Sequence, residues 1–115
     1  LCDNRCIEIS YFHFDAEGND HSNLNNEYVT FKSTCKQSCD LSGWTVKDIA
    51  NHLYTFPSFV FDSNSTVTLH TGLGSSDKNE LYWGAQSAIW NNDGDTLYLR
   101  NSKGELILNY PYTGK

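Results

Sequence analysis

The sequence contains no methionine and only two prolines, and no apolar stretch approaches the roughly 20 residues that a membrane-spanning helix needs. No charged start followed by an apolar core marks a signal peptide either, so membrane insertion is not expected. The lack of methionine and the start at Leu1 lead us to expect a processed product or a piece excised from a larger protein. Basic residues are scarce, with eight Lys and Arg against fourteen Asp and Glu and a net charge of -6. That balance works against loose attraction to phosphate backbones, and nucleic acid is not the expected partner. The cations Arg5, Lys32, Lys36, Lys47, Lys78, Arg100, Lys103 and Lys115 are scattered, and none builds a basic run.

Chemistry-bearing patterns are equally sparse. His13, His21, His52 and His70 fall in separate segments without a short metal-ligand spacing, and no Gly-x-Ser-x-Gly elbow occurs. Acid-base catalysis needs two carboxylates held in a cleft. Asp93 and Asp95 are close in sequence but belong to a turn-rich segment, where they should be solvated. We therefore expect no catalytic residue, no cofactor and no enzyme. The segment with Asp15, Glu17, Asn19 and Asp20 offers oxygen ligands as a calcium loop does, but its glycine comes too early for an EF-hand and no Glu stands at the twelfth position. A solvated acidic loop is the favoured reading there, and calcium the alternative.

Aromatics are plentiful, with three Trp, seven Tyr and six Phe, and large flat side chains favour strands. A chain of 115 residues suits one domain. Short runs of period-two alternation recur between turn signals, the pattern of an antiparallel all-β sandwich. Strands are expected at Cys6 to Phe14, with Ile7, Ile9 and Tyr11 on one face, and at Glu27 to Ser33, with Val29 and Phe31. Others are expected at Gly43 to Asp48, Thr66 to Thr71 and Thr96 to Arg100. The last runs from Glu105 to Tyr110, with Leu106, Leu108 and Tyr110 sharing a face. Asn101 to Gly104 should close a hairpin, Gly104 taking the positive φ at low cost. Asp48 to Phe61 is less regular, and Pro57 assigns it to a sheet edge or a connection. No proline is expected inside an alternating run. Trp44 and Trp90 are candidate core residues.

With those strands placed, several motifs resemble the lamin tail domain, an immunoglobulin-like β-sandwich. They are Asn25-Asn26-Glu27-Tyr28-Val29, Asp40-Leu41-Ser42-Gly43-Trp44, Phe56-Pro57-Ser58-Phe59, His70-Thr71-Gly72-Leu73-Gly74, Leu81-Tyr82-Trp83, Ile89 through Asp95 and Gly104 through Tyr110. The likeness spans nearly residues 1-115, in order. It implies a prokaryotic-type, non-catalytic attachment module, since the family brings no catalytic residues and its prokaryotic members accompany secreted or surface hydrolases and nucleases.

The departure from the lamin pattern is a pair of Cys-x-x-x-Cys segments, Cys2 with Cys6 and Cys35 with Cys39. In a strand, residues four apart stand about 13 Å from each other, whereas disulfide Cα atoms lie within about 7 Å. An antiparallel ladder joining Cys2 to Cys39 and Cys6 to Cys35 satisfies both distances, because paired positions keep a constant sum. Four cysteines allow three connectivities, among which the sequence alone does not choose, and a tetrahedral zinc held by the four thiolates is the alternative. Disulfides imply an oxidising compartment, hence an extracellular or cell-surface location. The leading functional expectation is a binding or tethering module for a protein or cell-surface component, making contact through its loops at Asp15 to Asn26 and Gly72 to Glu80. A nucleic-acid-targeting accessory to a nuclease or other hydrolase is the second reading. Sugar binding on Tyr82, Trp83 and Tyr112 is the third, and it requires an exposed aromatic platform.

Overall fold

The computed structural model describes residues 6–14, 25, 27–77, 79–86, 89–90 and 94–113. Cys2, the acidic loop with Asp15, Glu17, Asn19 and Asp20, His21 and Asn91 to Asp93 lie outside them. The described residues form ten strands: β1 (Ile7–His13), β2 (Tyr28–Ser33), β3 (Cys39–Asp40), β4 (Thr45–Lys47), β5 (Leu53–Thr55), β6 (Val60–Phe61), β7 (Thr66–His70), β8 (Glu80–Tyr82), β9 (Gly94–Arg100) and β10 (Leu106–Thr113). They assemble into one sheet of order β1-β2-β7-β8, a second of order β10-β9-β4-β5, and a small β3-β6 pair. Every pairing is antiparallel except β7 with β8.

Alternation decides which side chains meet between the sheets. Val29 and Phe31 of β2, Val67 and Leu69 of β7, Val46 of β4, and Leu97 and Leu99 of β9 are all buried in one cluster. Trp44 and Trp90 are buried with them. Fully burying an aliphatic or aromatic side chain of this size stabilises the fold by about 1.5–3 kcal/mol. On the opposite face of the first sheet the hydroxyls of Thr30 and Thr68 sit 3.0 Å apart across strands, a favourable cross-strand pair.

Two expected faces are corrected by β-bulges. In β1 the register shifts between Ile9 and Tyr11; the extra residue turns Tyr11 outward, 54 % exposed, and Phe12 packs against Trp90 instead. In β10 a shift between Leu106 and Leu108 leaves Leu106 opposite Arg100 and exposed, while Leu108 packs toward the core. β10 also continues through Pro111, contrary to the expectation for proline. It is an edge strand, where a missing donor is tolerated.

The turns follow from their residues. Gly104 has φ +83° and donates its N–H to Asn101 O at 2.9 Å, closing the β9–β10 hairpin. At Asp40-Leu41-Ser42-Gly43-Trp44, Asp40 Oδ1 accepts Ser42 N at 3.0 Å and Ser42 Oγ at 2.6 Å, and Ser42 Oγ accepts Phe59 N at 3.1 Å. Gly43 takes φ +80°, and the turn delivers Trp44 into the core. Those two Ser42 bonds hold the exposed Asp40 carboxyl below its ordinary range.

Candidate functional site

Three carboxylates are buried at one end of the sandwich, and each is aimed at backbone N–H groups. Glu27, immediately before β2 and fully buried, accepts three bonds at Oε1: from Thr71 Oγ1 at 2.8 Å, Ile89 N at 2.9 Å and Trp90 N at 3.0 Å. Asp48, immediately after β4, accepts His52 N at 2.7 Å, and its Oδ2 lies 2.7 Å from His52 Nδ1. Asp95 of β9 accepts Ile49 N at 3.1 Å and Thr96 N at 2.8 Å. Their fields converge on Tyr112, whose phenol is pushed above its ordinary range, first by burial and then by the charges of Asp95, Glu27 and Asp48.

These acids are latches. A buried N–H without a strand partner is costly, and a carboxylate can satisfy several at once. Asp95 is therefore not the solvated turn residue expected from the sequence, because its oxygen replaces the missing ladder partner of Ile49. As His70 and Glu80 do elsewhere, Asp48 and His52 form a pair with the look of a catalytic dyad, but among the described residues no nucleophile is hydrogen-bonded to His52. The pair instead closes the β4–β5 turn, in which Asn51 takes φ 73°. A depression of about 380 Å³ beside Phe59, Val60 and Leu81 holds a single carboxylate, Asp77, which already caps Asn79 N and Glu80 N.

Cys6 and Cys35 form a disulfide with Cα atoms 4.9 Å apart. The bond lies just past the β1–β2 ladder, where Thr34 N donates to Cys6 O at 2.7 Å. Cys39 Sγ is 3.2 Å from Cys35 Sγ, and none of the described cysteines is a free thiol.

The outer face of the first sheet carries a row of rings. Register aligns His13 with Tyr28, Tyr28 with His70, and His70 with Tyr82, with centroids 5.3, 5.6 and 4.8 Å apart; Tyr11 extends the row at 6.3 Å from His13. Stacked rings consume each other's faces and present their edges. His70 also spans Asn25 O at 2.9 Å and Glu80 Oε1 at 2.7 Å, and a Cβ on Gly74 would run into the Tyr82 ring. Tyr82 is thus enclosed. Trp83 packs on Trp90 and Tyr54, and Tyr112 on Phe14. The three residues considered for sugar binding form no common platform.

The outer face of the second sheet holds what the sequence did not signal. Lys47 Nζ lies 5.6 Å and Arg100 Cζ 5.9 Å from the centroid of Tyr98. The two cations are far apart in sequence, but β4 and β9 pair side by side. The available signal was the period-two spacing of Tyr98 and Arg100, opposite in phase to the buried Leu97 and Leu99. Glu27 was missed for a different reason, since its partners are 44 to 63 residues away.

No curated protein matches the chain. Residues 3–114 match the Lamin Tail Domain, whose immunoglobulin-like sandwich agrees with the sheets above and which is a binding-type domain and not a known enzymatic family. The chain belongs to the Lamin Tail Domain family.

Proposed function

We propose that the chain is a non-catalytic binding and tethering module of a larger extracellular or surface protein. The observation that carries this reading is the use of the buried acids: Glu27, Asp48 and Asp95 each engage backbone N–H groups of connecting segments. Groups of this type, placed in a cleft beside a nucleophile or a water, are the raw material of hydrolytic catalysis. Here they hold loops. The Cys6–Cys35 disulfide supports an oxidising compartment, and an antiparallel ladder continued from it would pair Cys2 with Cys39. Among the described residues no helix is long and apolar enough to cross a membrane.

The test is deletion of this domain from the full-length protein, followed by fractionation and by assay of whatever activity the parent carries. Release of the parent from its surface or partner fraction with activity intact is expected. Loss of activity with unchanged fractionation would sink the reading.

A further inference from the structure

We propose that the outer face of the β10-β9-β4-β5 sheet is a docking surface for an acidic, extended peptide segment of a partner protein, read through Lys47, Tyr98 and Arg100; this rests on the binding-module reading above. In β9 the buried Asp95, Leu97 and Leu99 turn Thr96, Tyr98 and Arg100 outward. β4 sets Thr45 beside Arg100 and Lys47 beside Tyr98. On the far side of β4, Leu53 stands opposite Lys47 and Thr55 opposite Thr45. β10 adds Asn109 and Pro111 on the other flank. No Asp or Glu occupies any of these outward positions, on a chain with fourteen acidic residues and a net charge of -6. The face is positive where the rest of the chain is negative.

Both cations keep their charge available. Each rests near the Tyr98 ring, which orients it by cation–π attraction without using its hydrogens. Among the described residues the ion pairs involve only His52 with Asp48 and His70 with Glu80, so neither Lys47 nor Arg100 is neutralised. An extended peptide presents side chains on one face about every 6.6 Å, the same two-residue step that carries β9 from Tyr98, which is paired with Lys47, to Arg100. Arg100 can take a carboxylate bidentately and Lys47 as a point charge. The half-exposed Leu53 (55 %) supplies an apolar contact beside Lys47. Two charges suffice for a short acidic segment. They fall well short of the roughly 6–10 phosphate contacts on which strong duplex binding rests, and the net charge would repel a long polyanion.

The experiment titrates the ¹⁵N-labelled protein with hexaglutamate, hexalysine and a twelve-base-pair duplex, each at about 50 mM salt, where screening is weak. Hexaglutamate is expected to shift the amide signals of Thr45, Lys47, Tyr98 and Arg100, hexalysine to leave them in place, and the Lys47→Gln/Arg100→Gln variant to bind at least about tenfold more weakly with its other signals unmoved. Lys47→Arg is expected to retain binding, which separates charge from fold. Absence of shifts at millimolar hexaglutamate, shifts confined to other surfaces, tighter binding of the duplex at these residues, or concentration-dependent shifts of the protein alone would each overturn the proposal. If hexaglutamate fails while deletion of the domain still releases the parent, tethering stands and this face is not its contact.

Discussion

Removing the Glu27 carboxylate is the sharpest perturbation of this fold. Glu27→Ala leaves three buried donors, Thr71 Oγ1, Ile89 N and Trp90 N, without their acceptor. An orphaned buried donor costs about 1–3 kcal/mol, and partial relaxation of the hydroxyl keeps the total nearer about 5 kcal/mol than the upper sum. Domains of this size are stable by about 5–15 kcal/mol, so the variant should be barely folded at 25 °C. Glu27→Gln is the control of shape. Its amide oxygen can still accept all three bonds, but each loses charge assistance, worth about 1 kcal/mol per bond, while the neutral side chain is less costly to bury. The net loss should be about 1–3 kcal/mol.

Urea unfolding followed by the fluorescence of the buried Trp44 and Trp90 measures these differences, and amide hydrogen exchange localises them. Loss of protection should concentrate at Ile89 and Trp90 in both variants. Thr71→Val removes one donor and should cost about 1–2 kcal/mol, and combined with Glu27→Gln it should show coupling of at least about 0.5 kcal/mol, because the two groups share one bond. A Glu27→Ala loss below about 1 kcal/mol, with Ile89 and Trp90 still protected, would refute the latch.

Three further outcomes follow from the same geometry. A Cys6→Ser/Cys35→Ser variant should lower stability by about 3–4 kcal/mol on the loop-entropy estimate for a separation of 29 residues, and non-reducing peptide mapping should recover Cys6 with Cys35 and Cys2 with Cys39; a scrambled map would reject the ladder. Gly74→Ala should destabilise by about 1–3 kcal/mol through overpacking on the Tyr82 ring, and adding Tyr82→Leu should recover part of that loss, a rescue that would be absent if the position were open. In an alkaline titration followed by tyrosinate absorbance, Tyr54, pushed up to about 12 by burial, and Tyr112, raised by burial and by the nearby carboxylates, should ionise above the ordinary phenol range. The unfolded phenol sheds its proton first, near 10, so the stability contributed by Tyr54 is present below that pH and is lost as pH rises through about 12; Tyr54→Phe should remove that dependence, and an unchanged profile would count against it.

Sequence periodicity located β2, β7 and β9, because each alternates over several residues and buries one phase completely, and β4 lies within the alternating run around Val46 from Gly43 to Asp48. It misplaced Tyr11 and Leu106, since a bulge adds one residue without any compositional mark and reverses every face beyond it. β3, β6 and β8 have two or three residues each, too few for a period to register. The Asp40-Leu41-Ser42-Gly43-Trp44 turn was legible in physical terms, since the bonds from Ser42 to Asp40 that shape it are local. The latches were not: Asp95 meets Ile49 46 positions away, and nothing near either residue marks the other. The same holds for the cations on Tyr98, which only the β4–β9 register brings together.

The latches and the cationic face are two consequences of one arrangement. β2 lies between β1 and β7, and β4 between β9 and β5; Glu27 precedes the first and Asp48 follows the second, while the Cys6–Cys35 bond holds the other end of β2. The backbone dipoles of the connecting segments supply the positive partners of these acids, through Ile89, Trp90, Ile49 and His52. A buried carboxylate ordinarily needs a cation or several donors. Because donors serve here, Lys47 and Arg100 are not drawn inside as counter-charges. They remain on the outer sheet face with Tyr98 between them, and a chain of net charge -6 thereby keeps one face on which a negative partner meets attraction.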